Sequence, residues 1–306
     1  MKFAGWLLAI ATLDSASAQV RKLHTRDLTR LSHVQVVDVL KRTDIIFVPV
    51  GAVETNGILP SGRDYAYPLA YAMTMADETD ALFMPGLIWS YPGTTAVAAS
   101  TIYLPPNVGT AYLKVVAKSL LRQGFRRQVY LSASHGPAAL TVGTLVREFF
   151  EETKVPILYI DMDHYMPRLK LAPEERSKLM WGAHAITSRL EDLPLQGDYG
   201  ERESHGASIP VNAGLAALGK LGLSGSLALG SWVSDAMAHG GGTLELPATA
   251  AEREEWGRQG RAQIAAIVKK MQMREAMDAL RKHDRFTRDV LVPKFGGLLP
   301  GPNDHR

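Results

Sequence analysis

The sequence predicts an α/β fold, a three-layer α/β/α domain on a mainly parallel central sheet. Two observations predict it. Short, uninterrupted apolar runs recur along the chain and read as strands buried on both faces. Patterns of helical period lie between successive runs, which is how a parallel sheet with crossover helices is written in sequence.

The first run, Ile45 to Val50 (I-I-F-V-P-V), is continuous and bounded by Gly51. Tyr65 to Glu78 follows with a helical pattern, and Ala81 to Pro85 reads as the second strand. Thr110 to Gln123 predicts a helix with Tyr112, Val115, Val116 and Leu120 on one face and Gly124 as its C-terminal stop. Gln128 to Ala133 (Q-V-Y-L-S-A) is the third strand, Pro137 to Glu152 a helix with proline in its first turn, and Val155 to Asp161 the fourth strand. From about Asp163 to Thr243 the pattern loosens into Gly- and Pro-rich loops. Thr249 then opens a long helix to about Met273, with Glu252 completing a capping box. The tail from Phe286 to Arg306 is expected to wrap the surface or a partner subunit.

The N-terminus has the form of a secretory signal peptide. Lys2 precedes an apolar core from Phe3 to Leu13, and Ala16-x-Ala18 supplies small residues at a cleavage point. That core is much shorter than the ~20 residues a membrane span needs. The expected organisation is therefore a leader, 1–18, cleaved after Ala18, and one domain, 19–306, in a secreted or periplasmic protein. Removing Lys2 and Asp14 together leaves the formal charge of +3 unchanged, and no dense basic run suggests nucleic acid. Export of a chain with no cysteine excludes a disulfide scaffold and a thiol nucleophile.

Chemistry concentrates after the first strand, in V-P-V-G-A-V-E-T-N-G-I-L-P-S-G-R-D. In open α/β sheets ligands bind beyond the carboxyl ends of the strands. Glu54 and Asn56 follow the first strand at that edge, His135 follows the third, and Asp64 stands just before a helix expected at Tyr65. Two carboxylates and an imidazole converging there suit Zn²⁺ or Mn²⁺, with water in the open positions. Plainer roles fit the same residues: Asp64 as an N-cap, His135 as a cap of the helix after Gly136, and Glu54 as a solvated carboxylate.

"VPVGAVETNGILPSGRD" resembles the first signature of the creatininase family, and "LLRQGFRRQVYLSASHG" resembles its second. "LHTRDLTRLSHVQVVDVLKRTDIIFVPVG" and "GGGTLELPATAAEREEWGRQG" extend the resemblance over nearly all of the chain after the leader. It implies a creatininase-like fold and a metal-dependent hydrolase of a non-peptide C–N bond, typically a cyclic amide, or of a related lactone. The family's metal-binding glutamate falls on Glu54, its aspartate on Asp64 and its strand-end histidine on His135. The chain departs from the family's two-metal pattern at Asn56, which replaces a histidine, and at Pro137, which replaces a glutamate. The resemblance thus implies one divalent ion per subunit, held by Glu54, Asp64 and His135, with Asn56 offering a neutral amide oxygen.

A hydrolytic metal lowers the pKa of bound water toward ~7 and polarises a carbonyl, but an acid must still protonate the leaving nitrogen. His184, in W-G-A-H-A-I-T-S, is the family-matched candidate, and Glu203 and His205, in G-E-R-E-S-H-G, form a second polar cluster. Asp161, Asp163 and His164 also end a strand at the ligand edge, where a solvated strand end explains them. The H-G-G-G at His239 lacks the G-x-S-x-G serine of an esterase, and no phosphate loop follows any strand. Trp89, Tyr91, Trp181 and Trp232 read as core, with pocket lining as the alternative for Trp89 and Tyr91, which follow the second strand. The expected partner is a small-molecule substrate, with no nucleic acid and no membrane. The resemblance also implies a homo-oligomer, a hexamer. The competing expectation is a catalytically inactive family member serving as a periplasmic binding or assembly protein.

Overall fold

The apolar runs form a four-stranded, all-parallel sheet in the order β2-β1-β3-β4. In the computed structural model, which describes residues 23–86, 91–95, 98–133, 137–176, 178–198, 220–221 and 245–301, these strands are β1 (Ile45–Pro49), β2 (Leu82–Phe83), β3 (Arg127–Ser132) and β4 (Leu158–Asp161). Because side chains alternate across a strand, β1 feeds two cores. Ile45 and Phe47 enter one, Ile46 and Val48 the other, and all four are buried.

Helices cover both faces. α1 (His33–Leu40), α3 (Pro106–Gln123) and α4 (Pro137–Thr153) close one side, sending Val39, Leu113, Leu120 and Leu145 into the core. α2 (Arg63–Thr79) closes the other, with Leu69, Met75 and Ala76 against the sheet. After α5 (Met162–Tyr165), α6 (Pro173–Arg176) and α7 (Leu179–Ile186), that layer is completed by α8 (Ala250–Lys270) and α9 (Met273–Phe286). The three-layer α/β/α class follows from this arrangement. Among the described residues, no helix is long and apolar enough to cross a membrane.

Local expectations were met at several ends and missed at others. Gly124 stops α3 in the left-handed conformation, φ 109°. Thr249 caps α8 by accepting from the Glu252 amide, but the Glu252 carboxylate accepts from Ala248 rather than from Thr249. On α3 the buried face is Leu113, Ala117 and Leu120, whereas Tyr112 and Val115 are exposed. The stretch after Asp163 also corrects the loop-only expectation, since α7 lies in it. Every residue of α7 but Ile186 is buried, and it crosses α8 where Gly182 meets Gly260. A Cβ on either glycine would overlap the other's backbone, so the two helices approach more closely than side chains permit. In the tail, residues 287–298 continue as short helical turns, and the Pro300 carbonyl accepts from Lys154. The expected leader lies outside the described residues.

Candidate active site

The loop from β1 to α2 is folded so that its two acidic residues meet. Gly51 passes directly over the start of α2, where an added Cβ would lie 2.6 Å from the Tyr65 Cα. The loop is then tied by its backbone. Glu54 donates to the Ser61 carbonyl, Thr55 to the Thr101 hydroxyl, and Ile102 to the Val53 carbonyl. Asp64 falls in the first turn of α2 rather than before it. The N-cap is Gly62 with no side-chain cap, so the N-cap role expected for Asp64 is corrected.

Glu54 is 3% exposed and its carboxyl hydrogen-bonds the Asp64 carboxyl, while the buried Thr95 hydroxyl donates to its Oε2. Burial, followed by the hydrogen bond and negative charge of Asp64, pushes the Glu54 pKa up to about 9. The Thr95 bond and the Arg63 charge oppose that rise. Two carboxyl groups, one buried and one half-buried, can bond each other only by sharing a proton. Replacing that proton by a divalent cation satisfies both at once, so the residues present fit a metal ion.

The position within the fold is informative. The chain runs from β1 to β2 on one side of it and returns to β3 on the other, so the strand order reverses between β1 and β3. Crevices for ligands open at such reversals, at the carboxyl ends of the strands. Glu54 leaves β1 at that end, and the segment after β3 leads to His135, which lies outside the described residues. Glu203 and His205 lie outside them too. Among the described residues no group of three or more His, Cys, Asp or Glu side chains is arranged to hold a metal ion, and Glu54 and Asp64 make two.

Asn56 is buried beside them, with both ends of its amide engaged. Its nitrogen donates to the Glu54 carbonyl at 3.3 Å, and its oxygen accepts from Arg63 Nη1 at 3.0 Å. In this arrangement the oxygen expected to face a metal faces a guanidinium. His184, on α7, is 1% exposed and bonded through Nδ1 to the Met180 carbonyl at 3.0 Å. Since the carbonyl must accept, Nδ1 carries the hydrogen and Nε2 is left with a lone pair. Burial lowers the His184 pKa, aided by the charges of Arg63 and Arg189 and opposed by the Met180 hydrogen bond and the Asp192 charge. The resting imidazole is therefore neutral, which suits a proton acceptor better than the acid expected of it.

The other polar strand end is closed on itself. Asp161 accepts from the Asp163 and His164 amides and bonds His164 Nδ1 at 2.8 Å. A cavity of about 370 Å³ opens there, lined in part by Tyr159, Asp161, His164 and Arg168. Neither Glu54 nor Asp64 lines it. Trp181 is core, edge-to-face with Trp256 at 4.9 Å; Tyr91 stacks edge-on against Tyr103, and Trp89 and Trp232 lie outside the described residues. Sequence reasoning missed Arg63 and Thr95. The only signal for either was adjacency: Arg63 precedes Asp64 in a loop otherwise without cations.

The profile of the family described as "Creatininase: Creatinine amidohydrolase" matches residues 29–193. The chain belongs to the creatininase family. This creatininase-family chain resembles a solved creatinine amidohydrolase (creatininase) at 18% identity and a TM-score of 0.50, over 81% of this chain and 98% of the other. It also resembles a creatininase with a tryptophan-to-phenylalanine substitution at 18% identity and a TM-score of 0.51, over 85% and 99% of the two chains. No curated protein matches. At such identity the structural likeness establishes the fold, and creatininase membership supports an amidohydrolase-type, metal-dependent activity.

Proposed function

We propose that this protein hydrolyses a non-peptide C–N bond, as in a cyclic amide, or a related lactone, using one divalent ion per subunit. The observation that carries the reading is the buried contact between Glu54 and Asp64 at the sheet's reversal point. Glu54 and Asp64 would hold the ion, with His135 as the proposed third ligand. A divalent cation so held supplies Lewis-acid polarisation of the carbonyl and lowers the pKa of water toward ~7.

The chain's own residues supply the rest. Thr95 fixes the Glu54 carboxyl by its hydrogen bond, and the tied loop keeps the pair from rotating into solvent. His184 Nε2, neutral at rest, is proposed to take a proton and pass it to the leaving nitrogen, the order a depressed pKa favours. Glu203 and His205 remain proposed as a second source of that proton. We further propose that the chain is exported and works as a homo-oligomer, a hexamer.

One observation favours the inactive alternative. Asn56 and Arg63 stand together where the family places metal-binding chemistry, so the protein could bind a ligand without turning it over. Metal analysis of the purified protein, with hydrolysis of cyclic amides and lactones assayed before and after chelation, separates the readings. Zn²⁺ or Mn²⁺ near one per chain with chelator-sensitive turnover is expected. Bound metal without turnover of any such compound would favour the binding-protein alternative. Light scattering that returns a monomer would overturn the assembly proposal.

A further inference from the structure

The guanidinium of Arg63 carries a buried donor, Nε–H, that nothing among the described residues satisfies. An arginine presents a bidentate fork along Nε–H and Nη2–H, and this protein uses that fork repeatedly. Arg126 grips Asp284 through Nε and Nη2, and Arg258 and Arg288 grip Glu255 and Asp289 in the same way. At Arg63 the opposite nitrogen, Nη1, is held by Asn56. Its Nε is buried and, among the described residues, has no hydrogen-bond partner. Nor does Arg63 form an ion pair with any described carboxylate, although its charge is felt at Glu54, Tyr67 and His184.

A buried N–H without a partner is destabilising, and more so when it belongs to a charged group. Such a cost persists in a folded protein where a ligand relieves it. Arg253 offers a contrast: its Nε is also unpartnered, but its Nη1 is spent on the Glu191 and Leu193 carbonyls, a purely internal tie between α8 and the turn that follows α7. Arg63 instead adjoins Asp64 and is oriented by the Asn56 side chain, one end of which is fixed on the Glu54 backbone.

We propose that Arg63 is a carboxylate-recognition residue of this site, held by Asn56 and left with an unsatisfied Nε–H for the ligand. If the hydrolase reading above is right, on which this last step rests, the substrate carries a carboxylate beside the bond that is cut. The planar fork matches a carboxylate's two oxygens, and a neutral amide of the same shape cannot accept through both positions. Arg63 is then a specificity determinant, and Asn56 its positioning partner.

The test uses the full chain after chelation, so that no metal can bind the probe. Acetate and its neutral isostere acetamide are titrated and their affinities read by NMR line broadening of the probe. Acetate is expected to bind at least ~tenfold more tightly than acetamide, as two charge-assisted hydrogen bonds should give. Arg63→Gln should erase the preference, and Arg63→Lys should retain only part of it. Asn56→Asp keeps the arginine but supplies it with an internal carboxylate, so it too should erase the preference. That variant decides the matter should Arg63→Gln fail to fold by circular dichroism. Equal affinity for the two probes in the wild type, no acetate binding, or a preference that survives both Arg63→Gln and Asn56→Asp would overturn the proposal. Because metal is absent throughout, a failure of the hydrolase reading leaves these results unchanged.

Discussion

Two strands of this protein end in acidic residues at the same sheet edge, and the two ends differ in kind. After β4, Asp161 satisfies its oxygens locally. Oδ1 accepts from two backbone amides at the start of α5, and Oδ2 bonds the largely exposed His164 ring. After β1, Glu54 is withdrawn from water and given Asp64, another acceptor, as its neighbour. The first carboxylate is content without a ligand; the second keeps a proton because nothing better is present. Burial alone does not separate them, since the Asp161 side chain is only 8% exposed; a strand-end carboxylate becomes a site when its neighbour is another acceptor in place of donors.

The largest expected effect tests that difference directly. Asp64→Ala should abolish metal binding and any hydrolysis. Its fold should persist, since Asp64 makes no cap bond to α2. Asp161→Ala should do the reverse, leaving metal content and turnover intact while lowering stability by about 1 kcal/mol, the usual cost of losing an N-cap. Elemental analysis beside thermal melts of both variants reads this. Loss of metal in Asp161→Ala, with retention in Asp64→Ala, would exchange the two assignments.

A smaller effect should appear in the pH dependence of the chelated protein. The folded state holds the Glu54 proton up to about pH 9, whereas an unfolded glutamate releases it near 4.5. Between those values the folded state binds more protons than the unfolded one. Stability therefore falls as pH rises through that window. The melting temperature of wild type in chelator should drop more steeply from pH 6 to 9 than that of Glu54→Gln, whose neutral amide has no proton to lose. Parallel slopes for the two would mean that Glu54 titrates normally.

The same contrast explains what could be read from sequence. Strands buried on both faces need continuous apolar runs, so β1 and β3 are evident in I-I-F-V-P-V and Q-V-Y-L-S-A. The meeting of Glu54 and Asp64 was legible too, because loops at carboxyl strand ends converge. α7 was not. Leu179–Ile186 is buried nearly all round and short, so it carries no amphipathic stripe, and its place is set by a glycine–glycine crossing with α8 far along the chain. The exposed Tyr112 and Val115 misled the reading of α3, for which the sequence alone has no record of which apolar stripe meets the sheet. Arg63 was invisible for a related reason. An arginine in a polar turn ordinarily reaches into water, and only the folded loop turns this one toward Asn56.

The smallest expected effect concerns that arginine. Restoring the family's histidine by Asn56→His would place an imidazole next to the Glu54 backbone, where it could add a ligand nitrogen. The same change removes the amide oxygen that holds Arg63 Nη1 and leaves a cation beside the ring. A positive charge there disfavours a second positive ion, so the two consequences oppose each other. Metal content should rise only slightly, or the preference among Zn²⁺ and Mn²⁺ should shift without a change in stoichiometry. Asn56→His combined with Arg63→Gln removes the opposing charge and should bind more metal than either single variant. Titrations of the three, followed by competition with a chromophoric chelator, decide it. If the double variant gains no more than Asn56→His alone, the Arg63 charge is not what limits the metal count at this centre.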